Sequence, residues 1–249
     1  MSIGSPDELE GMRRAGHVTR LTLDALAQQV RAGITTAQLD AVAAAMFEKH
    51  GARSAPAMVY RFPGHVLVSV NDEIVHGVPG PRILRRGDLV KLDVTVEKDG
   101  YFADAARTVI VGSGGATARR LAACVRAAFR AGASVARAGT PVKEVGRAVQ
   151  SAVEREGFAV VRGLCGHGIG RTIHEEPSVP NTCHPWQTDV LTEGLVITIE
   201  PMVSAGSPRV VQDADGWTLR TRDGSLSAHH EQTLVITRGN PIVLTGASA

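Results

Sequence analysis

Three things are scarce in this chain, and each scarcity removes a class of protein. Cysteine occurs only at Cys124, Cys165 and Cys183, with no C-x-x-C spacing. An odd, scattered set argues against both a disulfide framework and a thiolate zinc site. Charge of one sign is nowhere concentrated: 27 Lys and Arg stand against 25 Asp and Glu, a formal net charge of +2. The Arg pairs at 13/14, 85/86 and 119/120 read as solvated faces, and no direct nucleic-acid partner is expected. Long apolar runs are missing as well. No stretch reaches the length of a membrane span, and MSIGSPDELEGMRRAG lacks the apolar core of a signal peptide, so the expectation is a cytoplasmic protein without a membrane partner.

What is present suits one large globular domain or two tightly fused halves. Hydrophobic residues make up 43% of the 249, with 27 Gly and 12 Pro as punctuation, enough to bury a sizeable core. A first helix is signalled by Ser5 as cap, Pro6 at the first helical position and Glu8 completing a capping box. Leu9, Met12, Gly16, Thr19, Leu23, Leu26 and Val30 then fall on one face. Thr35 with Gln38 caps a second helix, whose Leu39, Val42, Ala43 and Met46 share a face before His50-Gly51 ends it. Short β-type runs follow over residues 57–60 and 66–70.

The pattern then repeats. Arg31-Ala32-Gly33 recurs as Arg137-Ala138-Gly139, and at the same offset Gln38 meets Glu144, Leu39 meets Val145, Glu48 meets Glu154 and Gly51 meets Gly157. A long helix over 116–136 and another over 141–156 precede a strand-rich tail, as the first two helices precede theirs. Such self-similarity predicts an α+β fold of two pseudo-twofold-related halves, approximately 1–112 and 113–249, with a site at their junction.

Between those halves lies VKLDVTVEKDGYFADAARTVIV, two β-type runs around an Asp-Gly turn. A turn centred between Lys98 and Asp99 sets Asp93 directly opposite Asp104. Two facing carboxylates are mutually destabilising and call for a cation. A longer turn, slipping the register by one, would send them to opposite faces. The second half adds His167 between Gly166 and Gly168, Glu200 at the end of an apolar run stopped by Pro201, and Glu231 at the head of another. Four carboxylates and one imidazole form an oxygen-rich set suited to divalent cations, and two such ions would balance the charge.

These segments carry a family resemblance. VNDEIVHGVP, KLDVTVEKDGYFAD, GHGIGRTIHEEP, TIEPMV and SLSAHHEQT, in that order, resemble the successive motifs of type I methionine aminopeptidases across nearly the whole chain. The resemblance implies the pita-bread fold, a central antiparallel sheet covered by helices in a single catalytic domain spanning 1–249. It implies a hydrolase that removes N-terminal methionine from nascent polypeptides when the second residue is small, using two divalent ions among cobalt, manganese, iron(II) and zinc. Asp93 would serve one metal, His167 and Glu200 the other, with Asp104 and Glu231 bridging. His174 would donate to the scissile carbonyl, His76 would assist at the leaving amine, and Glu200 would take the proton of the attacking water. A monomer, with transient ribosome association, is the expected state.

Departures cluster at the expected substrate pocket. The family usually has Gln where this chain has His229, an aromatic where it has Ile173, and a small Cys or Thr where it has Leu67. Tyr is expected where Val59 stands, with Tyr60 adjacent; Phe62 and Trp217 keep aromatic character. These differences admit a divergent paralogue with altered N-terminal specificity, a Xaa-Pro peptidase, or a pita-bread module that binds peptides without cleaving them. Cys165 is expected to be a buried, inert thiol.

Overall fold

The computed structural model describes residues 1–246, which contain five α-helices and fifteen strands. Helix α1 (Pro6–Gln29) starts at Ser5, whose Oγ accepts from the Glu8 amide at 3.3 Å. The Glu8 carboxylate turns back to the Gly4 amide at 2.7 Å, so the expected capping box closes one residue further out. Helix α2 (Thr36–His50) carries the complete box, and Gly51 in the left-handed region (φ 58°) ends it. Residues 57–60, expected as a strand, are helical instead. After β1 (Arg53–Ser54), Ser54 caps the short helix α3 (Ala55–Tyr60), with Pro56 in its first turn. The local Ser-Ala-Pro start signal outweighs the β preference of Val59 and Tyr60.

Next come β2 (Leu67–Val70), β3 (Glu73–Val75) and the long hairpin of β4 (Leu89–Lys98) and β5 (Tyr101–Ile110). Its register corrects the sequence expectation. Thr95 lies opposite Asp104 and Asp93 opposite Ala106, because the turn is centred on Asp99-Gly100. Both central residues have positive φ, 52° and 81°, as a type I′ turn demands, and Asp-Gly meets that demand where Lys98-Asp99 does not. The slip is two residues, so the two carboxylates stay on one face as diagonal neighbours.

The second helix pair, α4 (Ala116–Val135) and α5 (Val142–Arg155), leads to β6 (Ala159–Val160), β7 (Cys165–Gly168), β8 (Glu175–Pro180), β9 (Val196–Ile199) and β10 (Met202–Ser204). The remaining strands are β11 (Val210–Gln212), β12 (Leu219–Thr221), β13 (Ser227–His229), β14 (Gln232–Val235) and β15 (Ile242–Val243). In place of one continuous sheet, the strands form separate antiparallel ladders: β1, β5 and β2 around β4; β13-β10-β6; β11-β12-β3; and β15-β14-β9-β7-β8. The two largest are stitched together where Ala106 and Glu231 exchange main-chain hydrogen bonds of 3.2 and 3.0 Å. Thr233 Oγ1 reinforces the seam, accepting from the Asp104 amide at 2.9 Å and donating to the Asp104 carbonyl at 2.8 Å.

Helices cover these ladders through two main apolar clusters. One packs Leu23, Leu26, Leu39 and Phe47 onto Val68, Leu92 and Val94; the other packs Leu121, Val125, Val145 and Val149 onto Ile197, Ile199 and Leu234. Between them, Gly16 lets α1 meet the chain after β15, where a Cβ would stand 2.5 Å from the Leu244 carbonyl oxygen. Gly16→Ala should therefore lower stability by about 1–3 kcal/mol in urea denaturation, despite a helix-propensity gain of about 1 kcal/mol. An unchanged or raised midpoint would show that the contact yields.

Candidate metal centre

Each expected ligand sits where a strand or its immediate end presents it to the seam. Asp93 on β4 and Asp104 on β5 point inward beside Thr95, whose hydroxyl donates to Asp104 Oδ2 at 2.9 Å. Thr95 is thus the same-face neighbour of Asp93 and the cross-strand partner of Asp104. His167 lies on a bulge of β7, where pairing with β8 slips between Gly166 and Gly168. The flanking glycines are needed for close strand packing: a Cβ on Gly166 would lie 2.5 Å from the Thr198 carbonyl oxygen, and one on Gly168 would strike that of Glu176. Glu200 follows β9 and Glu231 precedes β14, both at ladder ends where a side chain can turn into the junction.

The imidazole of His167 is oriented by its own neighbour. Nδ1 lies 2.8 Å from the Gly168 carbonyl, which can only accept, so the proton sits on Nδ1 and the Nε2 lone pair faces the carboxylates. Nε2 stands 3.5 Å from Glu200 Oε1. Thr198, one step along the same face of β9 as Glu200, donates to Glu200 Oε1 at 2.9 Å and accepts from the His167 amide at 3.1 Å. Thr95 and Thr198 were not anticipated. The signal was there, since each lies two residues from an acid on a strand.

The charge balance is severe. Asp93, Asp104, Glu200 and Glu231 are all buried, and among the described residues their only basic neighbours within ion-pair distance are histidines. Burial pushes Asp104 up to about 6. Burial, then the charges of Asp104 and Glu200, holds Asp93 well above the carboxylate range; burial and neighbouring acids do the same to Glu200 and Glu231. The histidines move the other way. Burial lowers His167 to about 4 and His229 to about 3, so both rings are neutral near pH 7 and available as ligands.

These residues fit a divalent cation. Asp104 Oδ1 and Glu231 Oε1 are buried without a hydrogen-bond partner, an arrangement that folded proteins avoid unless something else satisfies the group. Two triads of ligand atoms gather within 4.8 Å of one another, Asp104–His167–Glu231 and Asp93–His229–Glu231. The sharing of Glu231 between them is the arrangement that a bridging carboxylate would have.

Above the acids opens a cavity of about 410 Å³. His76, His174, Phe62, Leu67, Ile173 and Trp217, all expected at the substrate, line it. His229 lies beneath its floor, 1% exposed, beside Glu200 and Glu231. The aromatic anticipated at Val59 is supplied by Tyr60, whose hydroxyl is 2.6 Å from His174 Nδ1. Phe62 and Trp217 meet edge to face at 5.2 Å. His76 holds a left-handed backbone (φ 61°), strain of the kind that gathers at functional sites. Cys165 is an exposed lining residue rather than the buried thiol expected, because it stands at the head of β7 beside the cavity.

The sequence profile of metallopeptidase family M24 matches residues 10–238. The chain is 42% identical over 239 residues to the methionine aminopeptidase of Clostridium perfringens, covering 96% of each protein. It is 38% identical over 247 residues to methionine aminopeptidase 2 of Bacillus subtilis, covering 98% of this chain and 99% of that one. The crystal structure of methionine aminopeptidase from Rickettsia prowazekii superimposes with a TM-score of 0.95 at 35% identity, covering 99% of this chain and all of that one. The α+β pita-bread architecture expected from the motifs is therefore the fold.

Proton competition gives a test of the centre. Without metal, the folded carboxylates retain protons to pH values well above those of an unfolded chain, so a binding cation must displace them. Affinity then rises with pH until the folded pKa values are passed. The expected ligand histidine, His167, is already deprotonated above about pH 5, given a folded value near 4, and does not oppose the trend. The rise in melting temperature caused by manganese(II), against EDTA-treated protein, should be larger at pH 8 than at pH 6. An increment independent of pH would contradict this account.

Proposed function

The chain belongs to metallopeptidase family M24, and on that footing we propose that it is a metal-dependent aminopeptidase releasing methionine from the N-termini of new polypeptides. The observation that carries the reading is the four-carboxylate floor beneath an apolar, aromatic-lined cavity. A flexible thioether suits such a wall, sulfur against ring edges included. The four acids line the cavity, so a chain end entering it can set its amine beside negative charge.

The ligands in this reading are Asp93, Asp104, His167, Glu200 and Glu231, holding two divalent ions; bound there, the ions would supply Lewis acidity to the scissile carbonyl and to the water that attacks it. Glu200 accepts the proton of that water. Its Oε1 is held by Thr198 and its main-chain carbonyl by Asn181 Nδ2 at 3.0 Å, so the carboxylate enters the reaction already oriented. His174 donates to the developing oxyanion. With Tyr60 Oη donating to Nδ1, the His174 proton is kept on Nε2, the tautomer this role needs. His76, neutral because burial and His174 both lower its pKa, can pass a proton to the leaving amine.

Internal duplication over 1–112 and 113–249, within a single catalytic domain, belongs to the same reading. It is supported by the two helix pairs, α1 with α2 and α4 with α5, each followed by strands that contribute ligands. So do a cytoplasmic, monomeric state and transient contact with the ribosome that supplies the substrate. Among the described residues, no helix is long and apolar enough to cross a membrane.

The deciding assay is methionine release from Met-Ala-Ser by protein stripped of metal and reloaded with manganese or iron(II), with Leu-Ala-Ser and Ala-Pro-Ala alongside. Release from the first peptide alone, dependent on metal, is the expected result; cleavage of another peptide instead would move the specificity, and silence on all three with metal bound would end the enzymatic reading. Leu67, opposite Asp93 in the β2–β4 ladder and facing the cavity, narrows the pocket. Leu67→Cys should raise turnover on Met-Ala-Ser, and no gain would show that Leu67 is not the constriction. Tyr60→Phe should lower kcat about tenfold, roughly 1.4 kcal/mol, with KM little changed.

A further inference from the structure

His229 has no task in the account above, yet its ring is buried beside Glu200 and Glu231. Its ring is 1% exposed, and both Nδ1 and Nε2 are buried without a hydrogen-bond partner. Nothing in its backbone is loose. Thr108 Oγ1 accepts from the His229 amide at 2.9 Å and donates to its carbonyl at 2.7 Å, while β13 pairs His229 with Met202. The ring is therefore aimed where it is by rigid elements, and Nε2 lies 3.8 Å from both Glu200 Oε2 and Glu231 Oε2.

That distance discriminates between two relationships. At 3.8 Å a nitrogen and a carboxylate oxygen are too far apart for a hydrogen bond. Two donor atoms each about 2.1 Å from a common ion lie about 3 to 4.2 Å apart, the range into which 3.8 Å falls. The grouping Asp93–His229–Glu231, with ligand atoms within 4.8 Å of one another, mirrors Asp104–His167–Glu231. Resting on the metallopeptidase reading, we propose that His229 is a sixth metal ligand, giving the Asp93-side ion an imidazole of its own.

The consequence is a centre in which each ion has one nitrogen, instead of one ion with nitrogen and one with oxygen alone. The family resemblance places Gln at this position, so the extra imidazole is a property of this chain's own sequence. A nitrogen donor shifts the preference of that site away from hard ions such as magnesium and toward transition metals. It also explains why an imidazole can be left with both nitrogens unpaired among acids: in the loaded protein Nε2 is coordinated, and its neutral state is the one that binds.

Two measurements on the full-length protein test this. The first is anomalous-difference crystallography of the wild type soaked in manganese(II), where one ion should lie within about 2.4 Å of His229 Nε2. The second is calorimetric titration of metal-free wild type and His229→Gln with manganese(II). One of the two binding equivalents should weaken at least tenfold in the variant, the other staying unchanged. Manganese in the centre but more than 3 Å from Nε2, or superimposable isotherms, would overturn the inference while leaving the metallopeptidase reading intact. A wild type that takes up no manganese would remove both. The crystallographic arm does not depend on the variant's folding.

Discussion

Four carboxylates are buried within reach of one another, with neither Lys nor Arg to answer them among the described residues, and much of the structure is arranged to tolerate this. Each acid would be driven to protonate by burial and by its neighbours, as the raised pKa of Asp104 and its partners records. The surrounding elements do not relieve the strain by moving apart. Instead they hold the acids in place: Thr95 on Asp104, Thr198 on Glu200, and the paired exchange between Ala106 and Glu231 across the seam. Rigidity of this kind fits a site organised before its cation arrives, since the ligands need little reordering on binding.

Strand geometry supplies that rigidity. Residues two apart on a strand share a face, which pairs Asp93 with Thr95 and Glu200 with Thr198, one acid and one hydroxyl on each of two ladders. The hydroxyls fill lone pairs that would otherwise be unsatisfied while leaving the opposite oxygens free. On the imidazole side, the Gly168 carbonyl fixes the His167 proton on Nδ1, and the Tyr60 hydroxyl holds the ring of His174 through its Nδ1.

Much of this was legible in the residues. That Asp93, Asp104, His167, Glu200 and Glu231 gather at one place, that two helix pairs precede the strands, and where the helices are capped follow from spacing, turn chemistry and motif order, because those are local properties of the chain. An acid at the end of an apolar run must be answered by something, wherever the run ends up. The Asp-Gly turn announced a hairpin, and a two-residue slip in its register left the face of both aspartates unchanged, since the strand period is two.

What only the tertiary structure decided concerns distances between segments far apart in sequence. The helix at Ala55–Tyr60 depended on Ser54 and Pro56 overriding β-type residues, and its position determines that Tyr60, not Val59, reaches His174. Cys165 opens onto the cavity because of its place at the head of β7. His229 read from sequence as part of the pocket wall; the ladder of β13 with β10 and the Thr108 anchor turn its ring under the floor, toward Glu200 and Glu231. A residue's type and spacing fix what chemistry it can perform. Which partner it performs that chemistry with is set by packing between segments that the sequence keeps apart, and no local rule carries that information.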